Sequence, residues 1–189
     1  MKSSPIKRRA RTKHQSVVAH PSDSALALVT LANDRGAAVI DAKHATAVGQ
    51  YLWTLVTKST VRYAVTHMTV NGSAKSLPLH RLIASLMGID ASPQIDHINH
   101  DGLDCREANL RGVTVSQNQA NSRKLKARSS RFKGVCWNKR GSKWVASAKV
   151  NRKSKFLGYY PTEELAALAY NEFATATWGS YACLNDVTK

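Results

Sequence analysis

The chain has 189 residues and carries 28 Lys and Arg against 12 Asp and Glu, a formal net charge of +16. With 43% apolar residues it can bury a core, which excludes a wholly disordered or low-complexity chain, and no apolar run approaches the roughly 20 residues of a membrane span. Cys105, Cys136 and Cys183 stand far apart without a Cys-x-x-Cys pair, which argues against a disulfide framework and a zinc site, and for reduced thiols in a cytoplasmic setting.

In chain order, residues 1–20 hold six Lys and Arg and no acid, and read as a basic flexible arm. Residues 21–75 read as a small β-rich region. Apolar residues from Ala25 to Ile40 flank the turn signal Asn33-Asp34-Arg35-Gly36, which predicts a hairpin. Residues 42–50 are Ala-rich and suit a short helix; Val61 to Thr66 alternates as a strand, with Asn71-Gly72 as a turn. Residues 76–124 form the next unit. Leu79, Leu82, Ile83 and Leu86 at helical spacing predict a short helix stopped by Gly88. Thr114 followed by Gln117 is a capping box for a helix to about Leu125.

After a linker at 125–128, residues 129–189 predict three strands, near 131–137, 143–150 and 154–160, and an Ala-rich helix over 162–177 stopped by Gly179. The short linker leads us to expect that the preceding unit folds without this one. Between Lys126 and Lys155 stand eleven basic residues and no carboxylate, interleaved with Phe132, Trp137 and Trp144. Such a footprint suits a polyanion, above all nucleic acid.

The middle of the chain is neutral and dense in Asp, His and Asn: Ile95-Asp96-His97-Ile98-Asn99-His100-Asp101-Gly102, then Asn109-Leu110-Arg111, then Gln117-Asn118-Gln119-Ala120-Asn121. Phosphodiester hydrolysis needs a base to activate water and a hard cation to stabilise the charge that develops, and these residue types supply both. A strand, a turn, a second strand and a helix could gather them on one phosphate. The segment resembles the HNH endonucleases of the ββα-metal fold, of the phage and intron homing kind, and Leu79-His80-Arg81-Leu82-Ile83 resembles the same family.

That resemblance implies His97 as general base and Asp96 and Asn118 as ligands of one divalent cation, Mg²⁺ or Mn²⁺, with no zinc expected. Asn109 is implied to hold the loop that orients the base. His100 and Cys105 depart from the family pattern and are expected to lie clear of the motif core. Asn121, on the same helix face as Asn118, is expected at most to bond locally or touch phosphate. One motif per chain implies that a monomer nicks.

The last unit resembles the Apetala/ethylene-response-factor DNA-binding domain, through Lys133-Gly134-Val135, Lys143-Trp144-Val145-Ala146, Phe156-Leu157-Gly158-Tyr159 and the helix from Glu163 to Asn171. The resemblance implies a sheet laid on double-stranded DNA, with contacts from Lys133, Asn138, Arg140, Lys143, Lys149, Lys153, Lys155 and Tyr159. Alternation places Lys143, Val145, Ser147 and Lys149 on one face, and Trp144, Ala146 and Ala148 on the helix side. Ser147 and Ser154 stand where the family carries charged readers, as does Cys136, which weakens base-specific readout.

The expectation is therefore an α+β protein: a ββα-metal nuclease core preceded by a small β-rich N-terminal region and followed by a three-stranded antiparallel sheet packed on one helix. Its expected function is a metal-dependent, homing-type DNA endonuclease with no membrane and no obligate protein partner. The rival reading is a non-catalytic DNA-binding regulator built on a degenerate HNH scaffold.

Overall fold

A computed structural model describes residues 16–32, 36–89, 94–123 and 129–188. The basic arm up to residue 15, the turn residues 33–35 and the linker 125–128 fall outside these.

Two three-stranded antiparallel sheets build the N-terminal part. The first has the order β1 (Val17–Ala19), β2 (Leu26–Thr30), β3 (Ala37–Asp41). Ala27, Val29, Ala38 and Ile40 alternate into the core, and the register Thr30↔Ala37 forms the expected hairpin. Residues 17–19 depart from the arm expected there. They add an edge strand because Val17 pairs with Val29 and reaches the core.

A short helix, α1 (Ala45–Val48), leads to the second sheet of β4 (Thr54–Lys58), β5 (Val61–Val70) and β6 (Ser73–Pro78). Trp53 between them is fully buried and donates its Nε1–H to the Val48 carbonyl at 3.0 Å. Burying such a side chain contributes on the order of 2–3 kcal/mol. Helix α2 (Leu79–Leu86) buries Leu79, Ile83 and Ala84 as its spacing predicts.

The next elements are a two-stranded hairpin, β7 (Gln94–His97) with β8 (Leu110–Val113), and helix α3 (Val115–Asn121). The capping box is formed: Gln117 N donates to Thr114 Oγ1 at 3.2 Å, and Thr114 N to Gln117 Oε1 at 2.9 Å. The helix stops at Asn121, short of the expected Leu125. One hydrophobic cluster runs from Val17 through Trp53 and Ile83 to Ile95, Cys105 and Leu110. The N-terminal sheets and the ββα unit thus share a core. Strand β3 also holds the loop between β7 and β8, through Val39 N to Leu103 O and Cys105 N to Val39 O, both 2.8 Å.

The C-terminal unit is an antiparallel sheet of β9 (Val135–Asn138), β10 (Lys143–Val150) and β11 (Lys153–Tyr160), with β10 central, packed on helix α4 (Glu163–Trp178). Thr162 caps α4 by accepting from Leu165 N at 3.2 Å. Ala146 and Ala148 of the sheet meet Ala166, Ala167, Tyr170 and Ala174 of the helix, all buried. The small side chains allow close approach, and the alternation expected for β10 is the one observed.

The two units are in direct contact in the structure. Ala120 of α3 belongs to the same cluster as Tyr170, Ala174 and Trp178. Trp178 Nε1 donates to Ser116 Oγ at 3.3 Å and Cys183 N to the Ala120 carbonyl at 3.0 Å. Among the described residues, no helix is long and apolar enough to cross a membrane.

Candidate active site

Strand β7 ends on Asp96 and His97, both under 9% exposed. They open onto a cleft of about 500 Å³, floored by Gln94 to His97 and His100 and walled by α3 on one side. The β4–β5 hairpin forms the other wall with Ser59, Thr60, Val61 and Tyr63. The N-terminal sheet thereby becomes part of the cleft, a role its sequence did not reveal.

The Asp96 carboxylate is held from behind. Its cross-strand partner Arg111 donates Nε and Nη2 to Oδ2, both at 3.0 Å. Asn121 Nδ2 donates to Oδ1 at 3.0 Å, to Oδ2 at 2.9 Å and to the His97 carbonyl at 3.2 Å. Oδ2 therefore takes three contacts and Oδ1 takes one, so Oδ1 keeps capacity for a cation.

Asn118, expected beside Asp96, lines the same cleft. Its Nδ2 donates to Gln94 Oε1 at 2.5 Å. Its Oδ1 has no hydrogen-bond partner among the described residues. The structure brings Asn121, one turn further along α3, onto the Asp96 carboxylate. The i, i+3 spacing that puts both amides on one face was the available signal.

His97 is braced on its flank by two rings. His80 of α2 meets it edge-on with centroids 5.0 Å apart, and Tyr63 of β5 lies 6.0 Å away. Burial lowers the His97 pKa against the opposing pull of Asp96, Asp101 and Asp104. The imidazole is consequently neutral at neutral pH, the form a base requires. Burial, with smaller contributions from His97 and Arg81, takes His80 down to about 3. His80 is thus a neutral packing partner of His97.

Cys105 was expected to lie clear of the motif, yet its Sγ stands 3.9 Å from His97 Nε2. Burial pushes its thiol pKa up, so it is a neutral filler beside the ring. His97 Nδ1 has no hydrogen-bond partner among the described residues. His100, also expected to be remote, lines the cleft, at a positive φ of 67°.

Asn109 ties the β7–β8 loop together. Its Oδ1 accepts from Asn99 N at 2.9 Å, and its Nδ2 donates to Asn99 Oδ1 at 3.0 Å and to the Asp104 carbonyl at 2.7 Å. Asn99 in turn donates to Asp104 Oδ2 at 2.8 Å. Gly102 of this loop packs so closely on β5 that a Cβ would collide with the Arg62 carbonyl oxygen and the Tyr63 ring. No substituted residue fits there without movement.

Residues expected to touch DNA divide in two. Arg140, Lys143, Lys149, Lys153 and Tyr159 are exposed. Phe156 and Tyr159, 56% and 54% exposed, meet edge to face at 5.0 Å on the open side of the sheet. Asn138 organises the β9–β10 turn by accepting from Arg140 N at 3.0 Å.

Lys133 does not belong with them. Its Nζ donates to the carbonyls of Gln119, Ala120 and Ser122 at 3.1, 2.5 and 2.7 Å, capping α3 where the helix dipole is negative. Burial lowers its pKa to about 8. Lys155 lies on the helix side, its Nζ 4.7 Å from the Phe173 ring centre. The register explains this, because Lys155 pairs with the inward-facing Ala148.

The arrangement defines a class: a ββα unit presenting a neutral His, a buried carboxylate and helix amides to one cleft, the equipment of a phosphodiester hydrolase. Comparison with known proteins agrees. A family model described as HNH endonuclease matches residues 78–120. The chain is 31% identical over 138 residues to an uncharacterized HNH endonuclease of Acanthamoeba polyphaga mimivirus, covering 71% of each protein. No solved structure gives a significant match. The chain belongs to the HNH endonuclease family and is a nuclease.

The donor set suits the divalent metal that HNH nucleases generally use. Asp96 Oδ1 and Asn118 Oδ1 are hard oxygens on one cleft, each with unused capacity. Among the described residues, no group of three His, Cys, Asp or Glu side chains is gathered for a metal. An ion here would draw on phosphate and water oxygens for the rest of its shell.

Proposed function

We propose that the protein is a homing-type DNA endonuclease that nicks duplex DNA using one Mg²⁺ or Mn²⁺, with the C-terminal sheet selecting where it binds. The observation that carries this reading is the convergence of Asp96, His97 and Asn118 on one cleft.

His97 is the general base, and Nδ1, the ring nitrogen without a hydrogen-bond partner among the described residues, takes the proton from water. Cys105 at Nε2 and the rings of His80 and Tyr63 fix the imidazole plane. Asp96 and Asn118 would hold the cation, which supplies charge stabilisation at the phosphate and leaving oxygen. Asn109 keeps the loop between β7 and β8 closed behind His97.

The C-terminal unit is similar in element order to an Apetala/ethylene-response-factor domain, and its exposed Lys143, Lys149, Phe156 and Tyr159 suit a DNA backbone flanked by base or sugar surface. Asn138, Arg140 and Lys153 extend that surface. Lys133 and Lys155 leave the set because of where their ammonium groups lie.

Supercoiled plasmid incubated with the protein and Mg²⁺ or Mn²⁺ should convert to the nicked form before any linear product, and a chelator should stop it. Failure to cleave under any divalent metal, or cleavage that persists in chelator, would refute the reading.

A further inference from the structure

Arg111 touches both the Asp96 carboxylate and the C-terminal unit. Two of its nitrogens go to Asp96 Oδ2. The third, Nη1, donates to the Ser180 carbonyl at 2.9 Å, and the guanidinium carbon stands 4.4 Å from the centre of the Tyr181 ring. Ser180 and Tyr181 belong to the 3₁₀ turn that follows α4, Gly179–Tyr181. Three groups from two units, through four contacts, therefore fix one planar fork.

A lysine in the same place could satisfy one of these partners, since its ammonium is a point charge without fork geometry. The surrounding contacts hold that turn against α3. Cys183 N donates to the Ala120 carbonyl, Lys133 Nζ caps the same helix end, and Trp178 Nε1 reaches Ser116 Oγ. The helix so gripped carries Asn118 and Asn121.

We propose that Arg111 is a positioning residue through which the seated C-terminal unit sets the Asp96 carboxylate, making that unit a structural part of the nuclease site as well as a DNA-binding surface. The inference rests on the reading of Asp96 as a cation ligand. It adds that the ligand is shaped from outside the ββα unit, by Ser180 and Tyr181.

The test uses the full chain carrying Arg111→Lys or Tyr181→Leu, with Asp96→Asn as reference. Mn²⁺ binding is titrated directly by electron paramagnetic resonance. DNA affinity, kcat and KM are measured beside it, and melting establishes that each variant is folded. Groups that orient a metal ligand typically change metal affinity or activity by about 10- to 100-fold. Both variants should weaken Mn²⁺ binding and lower kcat on that scale with KM little changed, and their effects should be less than additive because the two side chains touch.

Loss of activity that tracks loss of folded protein, with Mn²⁺ affinity unchanged in the folded fraction, would overturn the proposal and leave Arg111 a stability contact. Asp96→Asn separates the two levels. If it abolishes Mn²⁺ binding while Arg111→Lys and Tyr181→Leu leave it intact, the proposal fails and the assignment of the site stands. If Asp96→Asn also binds Mn²⁺ normally, the site assignment fails and the proposal goes with it.

Discussion

The ββα unit and the C-terminal sheet are both small antiparallel assemblies backed by one helix, yet they use polar residues in opposite ways. Around β7 the polar side chains are buried and bonded to one another: Asp96, His97, Asp104, Asn109 and Asn121 are all under 9% exposed, and each has a named partner. On the open face of the C-terminal sheet, Lys143 and Lys149 stand in solvent beside Phe156 and Tyr159. Buried networks hold groups at fixed positions and are costly to break, whereas solvated charges move freely and contribute little to stability. Chemistry requires the first arrangement, and attraction to a polyanion requires the second. Lys133 shows that residue type alone does not decide which applies, because its ammonium is drawn inward to cap α3.

The largest effect expected is on rate. His97→Ala should cut cleavage by about 10²- to 10⁴-fold, the usual contribution of a general base, with DNA affinity almost unchanged. Cleavage by the purified variant at the wild-type rate would remove His97 from the chemistry.

Acid should act on the same buried region. His80 has a folded pKa of about 3, below its unfolded value near 6.5. The folded state thus binds fewer protons, and the stabilisation present above pH 6.5 is lost as pH falls toward 3. Between pH 7 and pH 4 this one group should account for about 3 kcal/mol. His80→Phe keeps a ring without titrating, so its urea midpoint should depend less on pH than the wild type's. Parallel pH profiles for the two proteins would contradict the assignment.

Asn109→Ala removes three hydrogen bonds from the β7–β8 loop and leaves the Asn99 amide and Asp104 carbonyl without partners. Unfolding free energy from urea titration should fall by about 2–3 kcal/mol. An unchanged midpoint would mean that the loop is held by other contacts.

The comparison sharpens most within one residue type. Lys133→Met should lower stability by about 1–2 kcal/mol through the lost cap, with no change in the salt dependence of DNA binding. Lys149→Ala should do the reverse, leaving stability within about 0.5 kcal/mol and reducing the slope of log affinity against log salt by about 0.9. An interchange of these results would place Lys133 on the DNA.

What the sequence made legible was local. The Thr114 and Gln117 capping box, the Leu79-to-Leu86 stripe and the alternation of β10 each span only a few residues, where period and capping rules apply. Strand β4 escaped notice because its turn into β5, Lys58-Ser59-Thr60-Val61, has no Gly or Asn; Ser59 takes the positive φ of 57° unannounced. Edge strand β1 was hidden in a basic run, and its pairing with β2 is a tertiary choice. The same holds for the site. Asp96, His97 and Asn109 were named through the family resemblance of their segment, whereas the hairpin wall at Ser59 to Val61 and the Arg111 link to Ser180 depend on contacts between distant parts of the chain, and the thiol of Cys105 meets His97 only through the path of the loop between them.

The central claim, that the buried polar network cuts while the exposed basic sheet binds, is tested most directly by single-turnover cleavage of plasmid in Mn²⁺. Wild type, His97→Ala and the double variant Lys143→Ala/Lys149→Ala would be compared, with DNA binding measured on the same samples. The account predicts that His97→Ala binds like wild type and does not cut. The double variant should bind more weakly, yet cut at the wild-type rate once DNA is saturating. A double variant that fails to cut at saturation, or a His97→Ala protein that loses affinity and keeps its rate, would contradict it.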